Sequence, residues 1–289
     1  MTEVEIQEQR RSKWRIGRPA RTLEEASEFL ESVGVCLVHP VHPPLLAPTF
    51  LGAYTGSDHD LPTAQQAYRD PRVVEARELM VRLLRQRLAY EANIEGEGAL
   101  LLSPQTFPYF YALVGDRNPK KDLRSDVAGR KISPLTQDAF AVIQRDGPIS
   151  NRHLGEVLGG APSEAALDRS LTELWSHLRI TRVDYRPDEG VLWDVLYRWS
   201  PDAVKEGIGL SVGEGLSALL SKYLEAVIAA EQGEIEAFFQ PMAARSRVRE
   251  AVHALLAARQ FSFVQAGGRT LIQNTPPVEP RQRNFARTR

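Results

Sequence analysis

Apolar positions along this chain recur at helical spacing, in blocks separated by short alternating runs. The clearest block is residues 133–199. "SPLTQDAFAVIQRDG" predicts a helix, with Ser133 as N-cap, Pro134 at the first helical position, and Leu135, Phe140 and Ile143 on its apolar side. "PIS" is a short extended piece, and "NRHLGEVLG" is a second short helix that stops at Gly159 and Gly160. "SEAALDRSLTELWSHL" is a third, with Leu167, Leu171, Leu174, Trp175 and Leu178 along one face. "ITRVDYR", a Pro187-Asp188-Glu189-Gly190 turn and "VLWDVLYRW" then predict a hairpin. Helix, short strand, helix, helix, hairpin is the order of a winged helix-turn-helix.

The order repeats downstream. "SVGEGLSALLSKYLEAV", "IAA", "EQGEIEAFFQ" and "ARSRVREAVHALLAARQ" predict helix, strand, helix and helix, with Val248, Val252, Leu255 and Leu256 on one face of the last. "FSFVQ" and "RTLIQ" flank Ala266-Gly267-Gly268 as its hairpin. A looser copy lies upstream: "TLEEASEFLESV", opened by the capping box Thr22/Glu25, then "PRVVEARELMVRLLRQ", then "LAYEANIE" with "ALLLS". "PQTFPYFYALVG" adds a short aromatic-rich helix. The expected fold is mainly α with small β-hairpins, as three tandem winged helix-turn-helix modules. The boundaries are a basic, poorly ordered arm (1–21), module 1 (22–117), a linker (118–131), module 2 (132–204), module 3 (205–273) and a flexible tail (274–289).

Composition narrows the class. Of 289 residues, 43% are hydrophobic and 25% charged, the profile of a soluble globular chain. The formal net charge of -1 shows no basic excess, so any nucleic-acid contact must come from local patches. One cysteine permits no intramolecular disulfide. The polar N-terminus has no signal-peptide core and no run of about 20 apolar residues exists, so a cytoplasmic location is expected.

A winged helix docks its third helix in the major groove and its wing on the backbone, which needs Arg and Lys near phosphates. Arg245, Arg247 and Arg249 crowd the first turns of that helix in module 3. In module 2 Glu164, Asp168 and Glu173 outnumber Arg169 and would repel phosphate. Module 1 is mixed, with Arg72, Arg77, Arg82 and Arg85 against Glu75 and Glu78. Arg82 and Arg85 are its candidate contacts, and Arg182, Arg186 and Arg269 are wing candidates. The competing reading of these arginines is a solvated helix face. Cys36, His39 and His42 have the residue types of a zinc site. But prolines 40, 43 and 44 stiffen the backbone and the ligand set is incomplete, so no metal and no cofactor is expected.

"LEEASEFLESVGVCLVHP", "LSPQTFPYFYALVG", "RDGPISNRHLGEVLG", "LDRSLTELWSHLRITRV", "VLYRWSPDAV" and "LLSKYLEAVIAA", in that order and spacing, carry a likeness to a known family. From about residue 21 to 273 the chain resembles the AlkZ/YcaQ tandem winged-helix DNA glycosylases, and within them the shorter AlkZ-related branch. The glycosylase members follow a helix with Gly and then Gln-x-Asp or Gln-x-Gln, whose polar side chains position the attacking water. Here Gly34 follows the helix and the motif positions fall on Leu37-Val38-His39. The resemblance therefore implies a catalytic position with its residues replaced, leaving His39 as the candidate base. The family's C-terminal β-barrel is also expected to be missing. Three functions follow. The first is a monomeric protein that binds double-stranded DNA, damaged or distorted, without ordinary glycosylase activity. The second is a working glycosylase whose catalytic groups lie elsewhere, favoured by a basic cleft between modules with an ionisable residue at its floor. The third is a non-catalytic regulator or assembly module.

Overall fold

The computed structural model describes residues 1–276 apart from 68–69, 95–97, 122, 124–125, 128–129 and 161. About half of the chain is helical, and its strands form small antiparallel sheets. Most of the expected tail, 277–289, lies outside the described residues, while Asn274 closes the last strand.

Residues 1–21 depart from the expected poorly ordered arm. Thr2 and Glu5 cap each other's backbone and start helix α1 (Glu3–Lys13). Its buried stripe is Ile6 and Arg10 at a spacing of four, followed by Trp14. Arg10 donates to the carbonyls of Val227 and Ala229 at 2.7 and 2.5 Å, and Trp14 Nε1 donates to Ala226 O at 2.8 Å. A charged residue is thus buried because its donors reach two backbone carbonyls more than 200 residues away in sequence. By charge count the segment reads as solvated; by geometry it is a strap.

The next unit runs α2 (Leu23–Val33), β1 (Val35–Leu37), α3 (Phe50–Thr55), α4 (Pro71–Arg85), β2 (Tyr90–Ile94) and β3 (Gly98–Leu102). Gly34 ends α2 at φ +72°, and a Cβ there would meet Lys222 Cγ at 2.3 Å and Thr106 Oγ1 at 2.7 Å. Only glycine turns the chain so sharply into β1 at this approach. Helix α3 was not evident from the apolar pattern. It is a single turn and a half, capped by Thr49, inside a proline-rich stretch. Helix α5 (Phe107–Val114) follows.

The described residues of the expected linker include regular structure. They contain a two-residue ribbon, β4 (Asp126–Val127) with β5 (Arg130–Lys131). Arg179, 4% exposed, donates to the carbonyls of Pro119 and Lys121 and pairs with Asp116.

The second unit is α6 (Pro134–Asp146), β6 (Ile149–Ser150), α7 (Asn151–Val157), α8 (Glu164–Ser176), β7 (Ile180–Arg186) and β8 (Gly190–Val195). The strand expected through Trp199 ends at Val195. Near its end Asp194, buried, accepts from Arg198 four residues on and from its neighbour's N–H, at the start of the helical turn α9 (Leu196–Trp199). Helix α10 (Pro201–Gly209) then runs straight across the expected boundary at 204/205.

The third unit is α11 (Val212–Val227), an isolated bridge from Ala230, α12 (Gln232–Phe239), α13 (Arg245–Ala257), β9 (Phe261–Ala266) and β10 (Arg269–Asn274). The short strand pairs with the second hairpin strand in all three units: β1-β3-β2, β6-β8-β7, and Ala230 with Ile272 of β10.

Both faces of the first sheet are covered. Val35, Leu37, Tyr90, Ala92, Leu100 and Leu102 join a core with α5, α11 and the third unit. Cys36, Val38 and Leu101 face the other way, into the core of α2, α3 and α4. This period of two decides what each strand residue can reach.

Candidate active site

Because Tyr90 and Ala92 enter the first core, Glu91 and Asn93 of β2 project from the opposite face, the one carrying Cys36 and Leu101. There the sheet, α4 and the α8–β7–β8 part of the second unit enclose a cavity of about 410 Å³. That lies within the range of small-molecule sites, about 300–1,000 Å³. Val73, Ala76, Met80 and Leu84 of α4 make an apolar wall, and Trp175 and Val191 face them. His39, Arg77, Glu91, Asn93, Arg182 and Asp184 supply the polar groups, and Tyr185 contributes an aromatic ring.

Glu91 is 2% exposed. Its Oε1 accepts from Arg182 Nη1 at 3.1 Å, and its backbone carbonyl accepts from Trp175 Nε1 at 3.2 Å. The Arg182 guanidinium lies 4.1 Å from the Trp175 ring centroid and 5.3 Å from that of Trp193. The two indoles meet edge-on at 5.5 Å, and Trp193 Nε1 is tied to Asn151 at 2.6 Å. Arginine, indoles and carboxylate therefore form one rigid cluster joining the two units. Burial pushes the Glu91 carboxyl above its usual range, opposed by Arg182 and Arg77. Burial, reinforced by Arg77, holds the His39 imidazole below its usual range, with the Pro62 backbone opposing.

Among the described residues, four buried side-chain polar atoms have no hydrogen-bond partner. Three of them, His39 Nδ1, Glu91 Oε2 and Arg182 Nε, belong to residues that line this cavity. Unpaired buried polar atoms are rare and costly, so their gathering around one cavity makes it the candidate site.

The residues singled out in the sequence scatter. Of Leu37-Val38-His39, Leu37 is buried in the core on the far side of the sheet, while Val38 and His39 line the cavity. Cys36 is fully buried, its thiol pushed up by desolvation, and His42 is exposed, so the two do not meet with His39 at one point. No group of three or more His, Cys, Asp or Glu suited to a metal occurs among the described residues.

The arginines sort by what they touch. Arg182 sits in the cavity wall rather than on a wing surface. Arg85 pairs with Asp184 and donates to Tyr185 O at 3.1 Å, bracing α4 against β7. Arg186 pairs with Glu189, Arg269 with Glu3 and Glu231, and Arg249 holds Glu236 through two bonds of 2.7 and 2.9 Å. Arg245 donates to the neutral side chain of Gln240. Arg82 and Arg247 are exposed, and neither has an ion-pair partner among the described residues.

Sequence reasoning missed Glu91 and the role of Trp175. One signal was present: an acid in the strand "AYEANI", opposite the run "ALLL", whose residues are apolar on both faces. An acid placed there cannot reach water by alternation.

The family model described as DNA glycosylase AlkZ-like matches residues 69–285. Among solved structures, Streptomyces sahachiroi DNA glycosylase AlkZ is similar in fold. Its TM-score is 0.56 at 15% identity, covering 92% of this chain and 69% of that one. No curated protein matches the chain by sequence.

Proposed function

The chain belongs to the AlkZ-like family of DNA glycosylases, and on that footing we propose that it is a monomeric duplex-DNA-binding repair protein that takes one extruded nucleotide into the cavity around Glu91. The repeated helix–strand–helix–helix–hairpin units act in this reading as winged helix-turn-helix modules. The observation that carries it is the gathering of His39 Nδ1, Glu91 Oε2 and Arg182 Nε around one largely apolar space. A nucleobase offers a flat apolar face with donors and acceptors at its rim, which matches such a lining. Exposed Arg77 at the cavity suits the phosphate of an extruded nucleotide.

Leu37-Val38-His39 stands where the family's glycosylases have Gln-x-Asp or Gln-x-Gln, so the ordinary glycosylase arrangement is not part of this proposal. An ionisable group buried in a cleft with two arginines disfavours a purely structural or protein-assembly role. No helix among the described residues is long and apolar enough to cross a membrane.

Duplex affinity is assigned chiefly to Arg245, Arg247 and Arg82, whose charges are not cancelled by a described ion pair. Arg249, Arg269, Arg186 and Arg85 are engaged with acids and contribute less. The test is binding of a mismatched duplex over a salt series. Arg245→Ala/Arg247→Ala should lower the slope of log affinity against log salt by about 0.9 per lost phosphate contact. Arg169→Ala should leave it unchanged. A wild-type protein that does not bind at low salt would sink the proposal.

A further inference from the structure

Glu91 occupies a position where folding alone would select an apolar residue. It lies on the sheet face shared with Cys36 and Leu101, and a buried ion pair is commonly no more stabilising than a packed apolar pair. Only one of its two oxygens is used, by Arg182; Oε2 is buried and unpartnered. Glu91 is held at its backbone by the Trp175 hydrogen bond and at its carboxylate by an arginine stacked on two indoles. The other carboxylate in the cavity wall, Asp184, is committed to Arg85 and to the Tyr185 N–H.

We infer that Glu91 is the catalytic base of an N-glycosidic hydrolysis in this cavity, supplying from β2 the group that the motif at the end of β1 lacks. The inference rests on the reading that the cavity takes a nucleotide. In the step, the bond from sugar C1′ to the base nitrogen breaks and its electron pair leaves with the base. Water adds to C1′, and its proton passes to Glu91 Oε2 and then to solvent. Glu91 acting as base cannot also protonate the leaving group, and burial disfavours the protonated form of His39. Such a step suits a base that departs without protonation, for which an alkylated purine that carries a positive charge in DNA and leaves neutral is the probe. The products are that free base and an abasic sugar.

The experiment measures single-turnover base release, corrected for spontaneous loss, from duplexes carrying N3-methyladenine or N7-methylguanine, alongside binding to the same duplexes. Glu91→Gln is isosteric and should lower release by about 100-fold or more, with binding within about twofold of wild type. Glu91→Asp should retain part of the activity. The wild-type rate should rise with pH along a limb that Glu91→Gln lacks. Thermal unfolding checks that each variant is folded. Wild-type protein that binds but releases no base overturns this inference alone, as does release by Glu91→Gln at the wild-type rate. Absence of binding overturns the nucleotide-binding reading and this inference together.

Discussion

Replacing Arg182 with methionine keeps most of the side-chain volume and removes the charge facing Glu91. The wild-type pair is 3.1 Å apart, with the carboxylate 2% exposed and the guanidinium stacked 4.1 Å from the Trp175 ring centroid. Stripping one partner from a buried pair costs about 3–5 kcal/mol when the remaining charge stays ionised. Protonation of Glu91 limits that cost. The unfolded carboxyl titrates near pH 4.3. In the folded wild type burial already raises it, and loss of the opposing arginine raises it further. Below about pH 4.3 both folded and unfolded states hold the proton, so the variant loses little beyond the cation–π contact, about 0.5–2 kcal/mol. Above it the unfolded chain releases a proton that the folded variant retains. Stability then falls by about 1.4 kcal/mol per pH unit until the folded group ionises. Wild type shares this fall until its own Glu91 ionises, and above that pH the variant alone goes on losing stability, so the gap should be about 0.5–2 kcal/mol at pH 5 and wider at pH 8, towards the about 3–5 kcal/mol cost of an unpaired buried charge. Urea unfolding followed by tryptophan fluorescence at the two pH values measures it. A gap that is the same at both would refute a carboxylate buried against this arginine.

Two further outcomes concern the scaffold. Arg10→Met removes two charge-assisted hydrogen bonds to the end of α11 and should lower stability by about 3 kcal/mol, whereas exposed Arg11→Met should stay within about 0.5 kcal/mol. Thermal unfolding of the pair separates a docked α1 from a loose arm. Gly34→Ala combines a left-handed φ of +72° with an approach of 2.3 Å to Lys222 Cγ, and should lower the melting temperature by several degrees.

Much of the architecture was legible because it is written in local chemistry. Ser133, Pro134 and the paired Gly159-Gly160 mark the second unit's helices, and strand 180–186 follows from its alternation. What was not legible depends on contacts distant in sequence. Arg10 reads as solvated until the carbonyls at Val227 and Ala229 are brought to it, and Asp194 turns the chain only by capturing Arg198. The candidate site divides the same way. His39 was reachable from the motif position, but Glu91 gains meaning only when residues 84 and 91 positions away, Trp175 and Arg182, close over it. Arg182 itself looked like a wing arginine because nothing in "ITRVDYR" says which neighbour it meets.

The central claim is that one nucleotide of a bound duplex enters the cavity around Glu91. Photo-crosslinking tests it most directly, using a duplex with a single 5-iodo-2′-deoxyuridine at a mismatch and locating the attached residue by mass spectrometry. The expected attachment is to Trp175, Tyr185 or His39, which line the cavity. Attachment confined to residues outside that wall, with the duplex fully bound, would contradict the claim.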